Sequence, residues 1–205
     1  PTRRSSDLLK YRLPDSLIMK NPSIGPLQDA QQAIRFIRSN AKKFKIDPNK
    51  IGIMGFSAGG HMAATVSTHF GDSVYEPQLN ASARPDFALL IYPVISMKPE
   101  LTHAGSRQCL IGTNADAEQT IWFSNEEQVT PATPPTFIVH SMNDYAVPVQ
   151  NSICYAEALN HNGVQCELHL HASGGHGYGT GRTSNTESYW TKECENWLRM
   201  NKIIK

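Results

Sequence analysis

The feature that most constrains this chain is a nine-residue stretch in which a short apolar run, Ile51 to Phe56, leads into Gly55-Phe56-Ser57-Ala58-Gly59. The residues after it, Ala58 to about Phe70, read as a helix, so the pattern G-x-S-x-G lies where a buried strand turns sharply into a helix. A serine at the tip of such an elbow sits in a strained backbone conformation, which calls for small neighbours at Gly55 and Gly59. The start of the helix offers the Ala58 N–H to a developing oxyanion. The same five letters could form an ordinary tight turn, but the strand before and the helix after, with Gly60 and His61 following, favour the elbow.

The rest of the chain alternates in the same manner. Leu27, Ala30, Ile34, Ile37, Ala41 and Phe44 step by three and four and draw one apolar stripe, predicting a single amphipathic helix over 27–44. Pro26 is expected just before it and Asp29 in its first turn, where a carboxylate suits the helix dipole. Further strands are expected at Phe87 to Val94, Thr136 to Ser141 and Gln165 to His171, with helices at Gln150 to Asn160 and Glu187 to Met200. Strand and helix in alternation predict an α/β fold, a mostly parallel sheet with helices on both faces and ligands at the carboxyl ends of the strands. The stretch 95–135 is too long for a simple crossover and reads as an insertion with its own helix near Ile121-Trp122-Phe123, placed to cover a site.

A serine hydroxyl becomes nucleophilic only when a base takes its proton, and the base needs a third group to set its tautomer. His176 lies in Gly174-Gly175-His176-Gly177-Tyr178-Gly179, a glycine-rich loop after an expected strand, and is the best placed of eight histidines. Asp144 follows the strand ending at Ser141. The chain order Ser57, Asp144, His176 is that of an α/β-hydrolase and differs from the orders of trypsin-like and subtilisin-like proteases.

Other polar residues compete for these roles. His61 adjoins the elbow, and His169 and His171 share one strand face, where with a carboxylate they could form a metal site, although no metal-ligand spacing supports one. Asp86 reads as a turn residue and Asp116 as a solvated one. Cys109, Cys154, Cys166 and Cys194 contain no C-x-x-C pair and read as free, mostly buried thiols; disulfides remain open should the protein be exported.

Composition excludes several classes. With 19 Lys+Arg against 18 Asp+Glu there is no electrostatic footprint for nucleic acid or an anionic membrane. No apolar run approaches the roughly 20 residues of a spanning helix, and no repeat or low-complexity tract is present. The opening PTRRSSDL has neither an initiator Met nor an apolar signal region. It resembles a translated sequencing adapter joined to a gene fragment, so residues 1–8 are expected to be a non-native leader ahead of one catalytic domain over 9–205, which the source DNA across the junction tests.

Taken together, Pro26-Leu27-Gln28-Asp29-Ala30, GFSAGGH, RPDFALLIYPV, SNEEQVTPATPPTF, VPVQNS and GGHGYG resemble the small α/β-hydrolase esterases similar to acetylxylan esterases, and distantly the prolyl-oligopeptidase catalytic domains. The resemblance runs from about Lys10 to Leu198. It implies Ser57 as nucleophile, His176 as base, Asp144 as acid, no metal or organic cofactor, and a small-molecule or carbohydrate ester as substrate, often an acetyl ester. Trp122, Phe123 and Tyr178 are candidates for lining the substrate. Such esterases carry a glycine-rich oxyanion segment ahead of the elbow that this chain lacks, and Lys10 to Pro14 resembles the end of their fourth strand. The expectation is therefore an amino-terminally truncated domain whose Ile51–Phe56 strand is an exposed edge, poorly soluble and nearly inactive. The alternatives are a serine peptidase of the prolyl-oligopeptidase type and a non-catalytic module that kept the fold. Oligomeric state and compartment stay open.

Overall fold

The structure, a computed structural model, describes residues 7–180 and 186–205. Four strands, β1 (Gly52–Phe56), β2 (Phe87–Ile91), β3 (Thr136–Ser141) and β4 (Cys166–His171), form one parallel sheet in the order β1-β2-β3-β4. Register is set by pairs such as Ile53 with Ala88, Leu89 with Phe137 and Ile138 with Leu168. Every residue of β3 is buried, as a strand covered on both faces requires, which is why it reads as a run rather than an alternation. β1 is an edge of this sheet, and Met54 on it is 47% exposed.

Period-two alternation sorts the strand side chains into two cores. On one face Ala88, Leu90 and Ile138 meet Ala63 and Ala64 of α3 (Ala58–Thr68) and Tyr155 and Leu159 of α6 (Gln150–His161). Alanines at the contact let α3 lie close against β1 and β2. On the other face Leu89, Ile91, Phe137 and Val139 meet Trp190, Cys194 and Trp197 of α7 (Trp190–Met200). Those three recur at helical spacing, so α7 buries one stripe, and truncating the buried Trp197 to alanine would cost about 3–5 kcal/mol. α7 begins later than the expected Glu187 because Thr186–Tyr189 is a 3-10 turn.

The helix expected over 27–44 is two: α1 (Gly25–Ser39), packed on α3 through Leu27, Ala30 and Ile34, and α2 (Ala41–Phe44). Asn40 separates them by leaving helical geometry (φ −104°, ψ 13°), and its side chain also donates to Phe36 O (2.8 Å). Lys45, left-handed at φ 56°, ends α2. Pro26 is inside α1 rather than before it, and Asp29 lies beyond the first turn. Instead of serving the dipole, Asp29 accepts from the Arg12 backbone N–H (2.7 Å) and its guanidinium (2.8 Å), pinning the segment before the helix. Lys10 to Pro14 forms no strand.

The stretch between β2 and β3 contains α4 (Ala104–Ile111) and α5 (Ala117–Phe123), where one helix was expected. Asp116 is not merely solvated, for its side chain caps α5 by accepting from Gln119 N (2.8 Å). Asp86 likewise does more than turn the chain: it accepts from Arg38 Nη2 (2.7 Å) and Ile51 N (2.8 Å), tying α1 to the start of β1. All four cysteines are free thiols, with Cys109 exposed. Among the described residues no helix is long and apolar enough to cross a membrane.

Candidate active site

The carboxyl ends of β1, β3 and β4 converge, and each delivers one polar side chain. Ser57 follows β1 at φ 51°, ψ −119°, a conformation rare for a residue with a side chain, and it is locked from both sides. Its N–H donates to Ile91 O (3.1 Å), and its carbonyl accepts from His61 N (3.2 Å) and Val94 N (3.1 Å). A Cβ at Gly55 would be driven into the Gly59 carbonyl, so only glycine allows the chain to fold back here. Gly59 itself needs no such licence, because a Cβ there meets nothing within 4 Å. The second crowded position is Gly60, where a Cβ would come within 2.7 Å of Pro93. The expected pair of tight glycines, Gly55 and Gly59, is thus corrected to Gly55 and Gly60.

Ser57 Oγ–H donates to His176 Nε2 (2.8 Å), and His176 Nδ1–H donates to Asp144 Oδ2 (2.6 Å). The carboxylate fixes the imidazole tautomer and leaves Nε2 free to take the serine proton. His176 is presented by a loop after β4 whose glycines adopt positive φ; at Gly174 (φ 142°) a Cβ would also strike Ser141 Oγ. Contacts from outside hold that loop, among them Gly175 N–H to Asn143 Oδ1 (2.9 Å), Gly179 N–H to the Tyr92 hydroxyl (3.0 Å) and Trp190 Nε1–H to Gly179 O (3.0 Å). The Tyr92 ring stands edge-on to His176 (4.9 Å between centroids) and to Tyr178 (4.5 Å), making an aromatic wall.

The Asp144 side chain is fully buried, and burial alone would raise its pKa. Hydrogen bonds from His140, the Val147 N–H, His176 and the Ala146 N–H outweigh that and hold it down at about 2. It therefore remains anionic beside the imidazole at any pH near neutrality. Ala58 is the first residue of α3, so its N–H is among those that lack a helical partner.

The competing residues belong elsewhere. His61 donates from Nε2 to Phe123 O (2.9 Å), and complete burial lowers its pKa to about 4, so it stays a neutral strut between α3 and α5. His169 and His171 both approach Glu193 Oε2 (3.3 and 3.5 Å), and His169 also pairs with Glu167 (2.6 Å). No group of three or more His, Cys, Asp or Glu among the described residues is arranged to hold a metal. Of the three aromatics considered for the substrate side, Tyr178 is buried in the wall behind His176. Trp122 stacks on His69 (4.0 Å), and Phe123 is buried with Val94, Met97, Ile111 and Val147. Sequence reasoning missed Tyr92 and His140. The only trace of His140 is a lone imidazole in the apolar strand Thr136–Ser141, and nothing distinguishes Tyr92 from the strand residues before it.

A parallel sheet with helices on both faces, a strained elbow serine and a buried carboxylate behind a loop histidine define an α/β-hydrolase. Within that class the chain belongs to the BD-FAE family, whose model matches residues 9–159. It is 42% identical over 154 residues to endo-1,4-beta-xylanase B of Butyrivibrio fibrisolvens, covering 74% of this chain and 24% of that protein. It is 36% identical over 198 residues to the acetylxylan esterase of Xylanibacter ruminicola, covering 94% of this chain and 38% of that one. The chain thus spans well under half the length of these two curated relatives. Among solved structures it superposes on the acetyl ester-xyloside bifunctional hydrolase of Caldicellulosiruptor lactoaceticus with a TM-score of 0.83 and 44% identity, covering 88% of this chain and 67% of that one. The carboxylesterase Cest-2923 of Lactobacillus plantarum gives 0.69 and 26% identity, covering 87% and 68%.

Proposed function

We propose that this chain carries the catalytic triad of a serine carboxylesterase that removes small acyl groups, acetyl foremost, from carbohydrate such as acetylated xylan. One observation carries the reading: the unbroken line from Ser57 Oγ through His176 to Asp144, at 2.8 and 2.6 Å. The chain's similarity to a xylanase, an acetylxylan esterase and an acetyl ester-xyloside hydrolase supports the carbohydrate ester.

Ser57 Oγ attacks the ester carbonyl as His176 Nε2 takes its proton, and Asp144 stabilises the imidazolium without itself accepting the proton. The tetrahedral oxyanion is met by the Ala58 N–H at the start of α3. His176 then returns the proton to the departing sugar hydroxyl, leaving an acyl group on Ser57. Water, deprotonated by the same imidazole, releases the acid and restores the serine.

The test is labelling with a fluorophosphonate, located by mass spectrometry, alongside acetate release from acetylated xylan and cleavage of a proline-containing peptide. The expected result is an adduct on Ser57 that vanishes in Ser57→Ala, with acetate released and the peptide untouched. Peptide cleavage without acetate release would replace the esterase with a peptidase, and ligand binding with no adduct would point to a non-catalytic module.

A further inference from the structure

The Asp144 carboxylate is held by a second histidine as well as by His176. His140, in the middle of the buried strand β3, has a side chain with no exposed surface. Its Nε2 lies 3.1 Å from Asp144 Oδ2 and 3.1 Å from Val147 O, while its Nδ1 lies 2.7 Å from Ser152 Oγ at the start of α6. A carboxylate and a carbonyl can only accept, so Nε2 carries the hydrogen and shares it between them, while Nδ1 pairs with the Ser152 hydroxyl, which can donate or accept. Both ring nitrogens are satisfied, and the bonds from Nε2 end on Asp144 or on the turn that follows it.

These contacts complete the coordination of the carboxylate. Oδ1 accepts from the Ala146 and Val147 N–H groups (2.9 Å each), whereas Oδ2, the oxygen that faces the catalytic imidazole, accepts from His176 and His140. His176 sits on a glycine-rich loop, but His140 is fixed in a strand bonded on both sides within the sheet. Without His140, Oδ2 would be bonded only to the imidazole it is meant to orient. A buried imidazole in an apolar strand is costly to desolvate unless its hydrogen bonds are met, and here those bonds run to the triad.

We propose that His140 is a positioning residue: it anchors Asp144 Oδ2 to the sheet so that the carboxylate meets His176 Nδ1 in one orientation. The proposal rests on the esterase reading for its consequence in turnover, and on geometry alone for its consequence at His176.

The experiment compares His140→Leu, His140→Asn and His140→Gln in the full chain. Gln carries its amide nitrogen to where Nε2 stands and can donate to Asp144; Asn reaches only the Nδ1 position; Leu donates nothing. Two readouts are taken after folding is checked by circular dichroism: kcat and KM on an acetyl ester, and the downfield proton resonance of His176 Nδ1–H. In His140→Leu and His140→Asn kcat should fall about tenfold or more with KM within about twofold, and the resonance should broaden or vanish. In His140→Gln both should recover. Equal losses in all three variants would show that only the packing of the ring matters and would overturn the proposal, as would a folded His140→Leu with wild-type kcat and resonance. If His140→Leu does not fold, the contrast between Gln and Asn decides on the same criteria. If the wild-type chain hydrolyses no ester, the esterase reading falls, and the resonance alone decides: its loss in Leu or Asn and survival in Gln supports the anchor, and its persistence in all three overturns it.

Discussion

His176 and Ser57 are separated by 119 positions in the chain, yet the imidazole nitrogen and the serine oxygen lie 2.8 Å apart. Parallel pairing makes that contact possible: every strand of the sheet ends on the same side, so residues just past β1, β3 and β4 meet however far apart they are in sequence.

Replacing Asp144 by asparagine keeps the shape of the group but removes the charge that opposes the imidazolium. Turnover on an acetyl ester should drop by about 10³ to 10⁴ with KM little changed, and steady-state kinetics would show it.

Asp144 also links stability to pH. Its folded-state pKa, about 2, is below the ordinary 3.8, so the folded form holds the proton less tightly than the unfolded form. The contribution, about 2 kcal/mol, is fully present above the unfolded value and is lost as pH falls from about 4 towards 2. Urea unfolding of the wild type minus that of Asp144→Asn should lose this difference within that window.

His61 shifts in the direction that makes acid destabilising at a higher pH. Burial lowers its folded pKa to about 4 from 6.5, so between those values the unfolded chain takes a proton that the folded chain refuses. Stability should decline by about 2 kcal/mol between pH 7 and pH 5, and His61→Gln should flatten that decline in urea titrations.

The elbow glycines should separate sharply. Gly55→Ala forces a methyl group into the Gly59 carbonyl, and should abolish Ser57 labelling and lower the melting temperature. Gly59→Ala meets open space within α3 and should raise stability by about 0.5–1 kcal/mol, since alanine favours a helix over glycine.

Met54 is half exposed on the edge strand β1, which presents an unpaired ladder to other chains. Met54→Lys should reduce self-association of the 205-residue chain, as light scattering at matched concentration would record, with circular dichroism unchanged.

Periodicity and local chemistry made much of this molecule legible beforehand. Thr136–Ser141 is a strand with the expected bounds because an apolar, β-rich run between a Pro-Pro stop and a polar turn has few other options. The elbow was readable because Gly55 and Ser57 satisfy a steric demand that spans only five residues. The break at Asn40 was not, since the apolar stripe continues through it and only the backbone angles of that one residue depart from the helix. Gly59 was misjudged in favour of Gly60 because the crowding at Gly60 comes from Pro93, a contact across the fold.

By itself, then, the sequence determined the alternation of strands and helices, the elbow, and which serine, histidine and aspartate have the chain order of an α/β-hydrolase. Those are properties of spacing and of neighbours along the chain. Only the tertiary structure decided that Asp144 is shared between His176 and His140, that Tyr92 backs the imidazole, and that Phe123 and His61 brace one another. Each of these is a hydrogen bond or ring contact between segments whose separation in sequence carries no record of their distance in space.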